Sequence, residues 1–381
     1  MGMQMCMPLS MADMPMKMLM LHGNAFAVGM SETGPRGRSK IAAPNMFMAD
    51  AGTSMGDSQY FNLDYMGTVE RWTYPYSGYP ELLQIGEANA QGLPFVDAQH
   101  PHSSPIMGLT LSDTIRFSGA SKDNVKLFFA PRGESTDGPV AFMHRLTGTI
   151  NPDAPLGHHV GQDAGHISST VLGASLLVGN TRIEVSSFNG TEPQPDSVDL
   201  PLGSLDSFSV RVIQEFSPKL TAMVSIASVK DSEPTIPSTS YRYSASLYTS
   251  HELWKDWTFH NTLILGLITN LDGANRLGSF GEEFLFQKEP LHVWGRIEIL
   301  QRTPSELEFT GVSNPNNGRW VEALTLGYTH TLAKWEASQL GLGTSTTLDL
   351  LPSDFSSAYG SSTPITAKLF LQFGGMGMWD L

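Results

Sequence analysis

The stretch Leu291-His292-Val293-Trp294-Gly295-Arg296-Ile297-Glu298-Ile299 decides the fold. Leu291, Val293, Ile297 and Ile299 share one parity; His292, Trp294, Arg296 and Glu298 share the other. Successive side chains of a strand point to opposite faces, so a period of two means a strand with one apolar and one polar face. The same alternation recurs along the chain. Arg182, Glu184 and Ser186 interleave with Ile183 and Val185, and Ser209 and Arg211 with Phe208, Val210 and Val212. Arg242, Ser244 and Ser246 interleave with Tyr241, Tyr243, Ala245 and Leu247, and Thr366, Lys368 and Gln372 with Ile365, Ala367, Leu369, Leu371 and Phe373.

The connections alternate as well. Very short ones fall at Gly179-Asn180, Ser217-Pro218-Lys219, Lys288-Glu289-Pro290 and Ala333-Lys334-Trp335. Long ones are expected near 72–106, 132–165, 189–205, 230–238, 270–278, 302–318 and 351–364. Short turns at one end and long loops at the other describe an outer-membrane barrel. The reading is all-β: an antiparallel transmembrane β-barrel of about sixteen strands, the even number that bacterial single-chain barrels use, with long loops partly folded inward. Strands are expected near 17–29, 40–51, 59–71, 107–118, 123–131, 166–178, 180–189, 206–216, 219–229, 239–250, 256–269, 279–287, 291–301, 320–332, 336–349 and 365–376. Trp72, Tyr74, Tyr76, Trp254, Trp257, Trp320, Trp335 and Trp379 sit near strand ends, where interfacial girdles belong. The competing folds are a soluble sandwich, which would carry a more charged outer face, and a propeller, for which no 40–50-residue repeat is present.

Composition narrows the function. Only 16% of the 381 residues are charged, against a typical ~25%. The net charge of -14 leaves no basic stripe to neutralise phosphates, which argues against nucleic acid. No apolar run approaches the roughly 20 residues of a membrane-spanning helix. The single cysteine, Cys6, cannot form an intramolecular disulfide. Residues 1–16 form a Met-rich segment, and 17–381 the barrel. The first twenty residues carry Met at 1, 3, 5, 7, 11, 14, 16, 18 and 20 without a basic region or small-residue cleavage site, so the chain reads as starting at or inside a mature protein.

The candidate chemistry is in the loops. Six of eleven histidines fall between His100 and His166, in segments rich in Pro, Gly and Asp. One is Asp97-Ala98-Gln99-His100-Pro101-His102; the other runs from Met143-His144-Arg145 through Pro155-Leu156-Gly157-His158-His159 to Asp163 and His166. Loops of this length are usually functional. Folded into the lumen, they would bring together His100, His102, His144, His158, His159 and His166, with Asp97 and Asp163 as carboxylate partners. Two or three imidazoles with a carboxylate suit Cu(II), Zn or Ni, and Cu(II) leads in affinity. The alternative is a satisfied polar network of His–Asp and Arg–Asp hydrogen bonds. Met1, Met3, Met5 and Met7 alternate, so an extended segment would present four thioethers on one face, soft ligands that suit Cu(I). Flexible gap-filling is the other reading of such methionines.

Ala141-Phe142-Met143-His144-Arg145, Asn151-Pro152-Asp153-Ala154-Pro155-Leu156-Gly157-His158-His159 and His166-Ile167-Ser168 carry a resemblance. So do His22-Gly23-Asn24-Ala25-Phe26, Gly86-Glu87, Pro94-Phe95-Val96-Asp97 and Phe188-Asn189-Gly190-Thr191-Glu192-Pro193. The chain resembles a family of largely uncharacterised Gram-negative outer-membrane β-barrel proteins, often encoded near copper-resistance genes. It departs from that pattern at Ala98, Ser103 and Val160. The resemblance implies an outer-membrane barrel and hints at metal, with copper ions as the expected ligand.

No nucleophile elbow accompanies a His–Asp pair and no phosphate-cradling loop occurs, so an enzyme is not expected. The lumen-facing set is read as Arg182, Glu184, Arg211, Arg242, Arg296, Glu298 and Lys368, a mixed-charge lining compatible with an open pore or a plugged interior. The expected surroundings are outer-membrane lipid and other envelope proteins. The leading functional reading is a barrel that binds or passes metal ions, copper first. The other is an accessory barrel of a larger envelope assembly, without ligand.

Overall fold

The computed structural model describes residues 17–89, 91–118, 122–163, 165, 167–230, 238–271 and 274–380. The Met-rich segment with Met1, Met3, Met5 and Met7, and His166, lie outside them. The strands are β1 Lys17–Glu32, β2 Ser39–Ala42, β3 Asn45–Met55, β4 Gln59–Gly67, β5 Tyr79–Ala88, β6 Pro94–Gln99, β7 Gly108–Arg116 and β8 Asn124–Gly133. Then come β9 Ser168–Val178, β10 Thr181–Asn189, β11 Ser207–Ser217, β12 Leu220–Lys230, β13 Thr239–Glu252 and β14 Thr258–Leu271. The last five are β15 Ala274–Lys288, β16 Leu291–Arg302, β17 Arg319–Lys334, β18 Ser338–Leu350 and β19 Ile365–Asp380. Two short helices, α1 Glu70–Thr73 and α2 Ser353–Tyr359, lie in connections.

All strands but β5 and β6 join one antiparallel sheet, which closes where β1 pairs with β19, Met18 opposite Asp380. β2 and β3 both pair with β1 and are one strand broken at Ala43-Pro44, so the barrel has sixteen strands. Pro44 has no N–H to give the ladder, which explains the break in what the sequence reads as one strand. Lys17, Asp380 and the short turns share one end, which faces the periplasm in bacterial barrels. The long connections occupy the other. The expected long connection near 270–278 is replaced by strand pairing: β14 and β15 stay paired as far as Leu271 opposite Ala274. The residues between them in sequence are Asp272-Gly273, a strong hairpin signal.

The outward parity is apolar. Leu63, Leu111, Leu127, Leu172, Ile183, Val224, Ile226, Leu265, Leu326, Leu342, Leu369 and Leu371 are all exposed. Such a belt around a closed sheet is covered by lipid hydrocarbon, and closure leaves no unpaired edge within the bilayer. Trp72, Tyr76, Trp254, Trp320, Trp335 and Trp379 are exposed near strand ends, as girdle residues are. Tyr74 is not among them: it is buried against Tyr79 and Trp294 inside the barrel. Trp294 is likewise interior, its indole N–H donating to Thr329 Oγ1 at 3.0 Å.

The core therefore fills the lumen. Two connections fold inward: 68–107, which contains α1 and the β5–β6 hairpin, and 134–167. Neither is structureless. Leu82, Leu83, Val96 and Leu156 of these segments pack on Leu300, Val321 and Leu351 of the wall region and on Phe355 of α2. Tyr79 and Ile150 pack with Phe26, Leu285, Trp294 and Phe370. At the far wall the approach is backbone to backbone. A Cβ on Gly266 would lie 2.1 Å from Val160 O and 2.9 Å from Gly161 Cα, and Gly161 holds φ +77°. Gly266→Val should thus displace the plug rather than the barrel. We expect a loss of about 1–3 kcal/mol, typical of overpacking, with faster proteolysis inside 134–167 and unchanged heat-modifiable migration. Wild-type proteolysis would show that this contact does not seat the plug.

Candidate metal centre

Charged side chains of the inner wall hold the inward segments. Arg145 makes a bidentate pair with Glu283 of β15, Nε to Oε2 at 2.9 Å and Nη2 to Oε1 at 2.6 Å. Thr147 Oγ1 donates to the same carboxylate at 2.8 Å, and Arg296 Nη2 lies 3.3 Å from it. Arg242 pairs with Asp137 at 3.0 Å, and Arg211 with Glu184 at 2.7 Å while also donating to Gly138 O. Glu298 accepts from Gly157 N–H at 3.2 Å, and Lys368 pairs with Asp153. Arg182 is half-buried, 3.9 Å from Glu184. All seven lumen candidates thus line the inner wall, and five of them touch the 134–167 segment. Arg302 adds bonds to Leu83 O and Leu156 O.

Within this frame four of the six loop histidines come together. His158 and His159 have ring centroids 4.4 Å apart. His100 lies 6.2 Å from His158 and 5.9 Å from His159, and His102 5.1 Å from His100. The chain reaches this arrangement by local means: His100 directly follows β6, and Gly161 in the left-handed region turns the segment two residues after His159.

Two carboxylates that were not among the expected ligands complete the cluster. His100, His158 and Glu192 bring one ligand atom each within 4.8 Å of one another, and so do Glu87, His159 and Glu192. Nitrogen ligands sit about 2.0–2.1 Å from zinc. Ligand atoms on one ion are therefore at most about 4.2 Å apart, and sub-ångström side-chain movement closes either set. Glu192 enters from a third connection, 190–206, and belongs to both. Glu87 is on β5, its carboxylate 3.4 Å from His159 Nδ1.

Second partners orient the rings. Asp163 Oδ2 lies 3.2 Å from His158 Nδ1, a carboxylate–imidazole contact of the kind that orients metal-binding histidines. Glu70 Oε2 accepts from His102 N–H and lies 3.0 Å from its Nδ1. Burial, aided by His102 and nearby arginines, pushes the His158 imidazole down to about 3, so it stays neutral and need not shed a proton to bind metal. Burial raises the Glu192 carboxyl, a cost that a bound cation would relieve. His100 is a less ready ligand. The Glu87 N–H donates to its Nδ1 at 3.2 Å, which places the ring proton on Nε2.

Asp97 and His144 lie elsewhere. Asp97 is a buried structural hub with φ +51°: it pairs with Arg36 and accepts from Leu83 N–H at 2.8 Å and Tyr359 O–H at 2.6 Å. Its place just before the Gln-His-Pro-His run suggests a ligand, but its carboxylate is taken up by Arg36, Leu83 N–H and Tyr359. His144 faces the β1 side, with Nε2 2.9 Å from Glu134 Oε1 and its ring edge-on to His22 at 6.5 Å. Burial lowers the His144 imidazole, but the Glu134 carboxylate raises it more, for a net upward shift.

The chain matches no protein-family model and no curated protein. Among solved structures it is similar to an anion-selective porin from Comamonas acidovorans, with a TM-score of 0.53 and 12% identity over 95% of this chain and 98% of that one. It is similar also to the OmpF of Salmonella typhi in complex with daunomycin, at 0.55 and 10% over 94% and 97%. These likenesses are of fold; with the closed sheet and its apolar belt, they establish a sixteen-stranded antiparallel outer-membrane barrel.

Proposed function

We propose that this barrel is an outer-membrane channel protein whose inward-folded loops hold a divalent transition-metal ion, copper(II) foremost. The observation that carries the reading is the convergence of His100, His158 and His159 with Glu87 and Glu192 from three separate connections. Imidazole with carboxylate is a borderline donor set, and copper(II) leads the divalent series for such ligands. Packed loops and buried ion pairs around the cluster supply the rigid frame a preformed site needs. Tag-free protein folded in detergent, loaded with copper(II) and gel-filtered, should retain at least one equivalent by elemental analysis. Retention of none after copper or zinc loading would sink the reading.

A second reading is favoured by the pairs His158–Asp163 and His102–Glu70, which give these imidazoles carboxylate partners within the protein. On it the cluster is a polar lock, and the protein is an accessory barrel without ligand. That reading expects no retained metal and stable co-purification with other envelope proteins.

A further inference from the structure

The inner wall is polar over much of its circumference: Ser175, Glu184, Ser209, Arg211, Ser225 and Ser244 face inward on β9 to β13. Around β1, β3 and β4, thioethers join the polar side chains. Met46, Met66, Met107 and Met143 form one buried cluster with Ala141 and Ile167, and Met48 and Phe142 pack against it. Ten methionines follow residue 20, and half of them are here. Plug seating elsewhere uses Leu, Val and Phe, so burial alone does not call for thioethers.

The register makes the cluster specific. His22 of β1 is directly opposite Met48 of β3, and Met48 is directly opposite Met66 of β4. Directly opposed residues have Cβ atoms about 4.5–5.5 Å apart, so imidazole and two thioethers form one inward row across three strands. Gly108 packs beside Met66: a Cβ built there would lie 3.4 Å from Met66 Cβ and 3.6 Å from its Cε, ordinary van der Waals contact. The plug lays Met143 and His144 over this row; His144 reaches His22 edge-on and is oriented through Nε2 by Glu134. One residue pair towards the periplasmic end, Asp50 faces Asp64 across the same strands, and Met20 faces Asp50.

We propose that His22, Met48, Met66 and Met143 form a binding site for a soft monovalent cation, Cu(I) or Ag(I), on the lumen wall. Thioether sulfur is soft and neutral, so it selects such ions over magnesium, calcium or zinc and needs no deprotonation. The imidazole adds a borderline nitrogen, and the Asp50 and Asp64 carboxyls supply negative charge near a cation whose thioether ligands carry none. The site differs in donors and location from the His–carboxylate cluster of the plug and does not rest on it.

The test uses the full chain and silver(I) as a redox-inert probe. Titration calorimetry on wild type, Met48→Leu/Met66→Leu and His159→Ala/Glu192→Gln separates the two sites. The leucines keep volume and apolarity. The methionine variant should lose one Ag(I) equivalent, or bind it at least tenfold more weakly, while the plug variant keeps it. X-ray absorption of Cu(I)-loaded wild type should show sulfur and nitrogen neighbours, with fewer sulfurs in the variant. Unchanged silver stoichiometry and affinity in the methionine variant, with an unchanged sulfur shell, would mean that the cluster is packing and overturn the proposal. If the double variant loses heat-modifiable folding, Met66→Leu alone is read by the same criteria.

Discussion

Arg145→Ala should release the plug. The substitution removes a bidentate pair that is buried on both sides and leaves Glu283 with Arg296 at 3.3 Å and one hydroxyl. Breaking a buried ion pair by deleting one partner costs about 3–5 kcal/mol, because the remaining charge loses its counter-ion in a poorly solvated place. The barrel itself is held by ladder hydrogen bonds that do not involve Arg145. The loss should therefore appear as local opening. In planar bilayers we expect conductance at least several-fold above wild type, and in detergent rapid protease cleavage within 134–167 while the closed barrel persists on gels. Arg145→Ala/Glu283→Gln should regain part of the loss, since no carboxylate is then stranded. Wild-type conductance and protease resistance in the single variant would show that the plug is seated by its apolar contacts.

Glu192→Gln should abolish most metal binding at the plug. Glu192 alone belongs to both three-residue sets, and the change keeps its size while removing the charge that a divalent ion requires. Asp163→Asn tests orientation instead of ligation. Asp163 acts through His158 Nδ1, and loss of such outer partners typically costs 10–100-fold in metal affinity. The expected order of copper(II) affinity is therefore wild type, then Asp163→Asn, then Glu192→Gln, measured by competition with a chromophoric chelator. Equal affinity across the three would remove Glu192 and Asp163 from any site. The His158 ring is neutral at ordinary pH, so acid release of metal in this cluster should follow protonation of the carboxylates first.

Much of the architecture is legible because the relevant physics is local. A period of two needs only neighbouring residues, and Arg296 and Glu298 between Val293, Ile297 and Ile299 are enough to assign faces. Short and long connections in alternation then give the barrel and its ends. Pro44 carried a further local signal, a broken strand, and Asp272-Gly273 is in sequence a strong hairpin signal between β14 and β15, which pair as far as Leu271 opposite Ala274. The sequence also marks His100, His158 and His159 as chemically unusual loop residues.

What only the tertiary structure decided is which of these residues meet. His100 and His158 are far apart in the chain, and Glu192 arrives from a third connection, so their approach depends on where two loops cross the lumen. That crossing is set by Arg145–Glu283, Arg242–Asp137 and Lys368–Asp153, pairings between loop and wall that no local pattern encodes. The same is true of Asp97, which the structure places on Arg36 and Tyr359, and of His144, which it places beside His22. Gly86-Glu87 and the stretch Asn189-Gly190-Thr191-Glu192-Pro193 carry the family resemblance in the sequence, but a single carboxylate has no period to reveal its partner. Local periodicity determined the wall of this protein. Long-range pairing of buried charges, strong because water is excluded from the lumen's core, decided its contents.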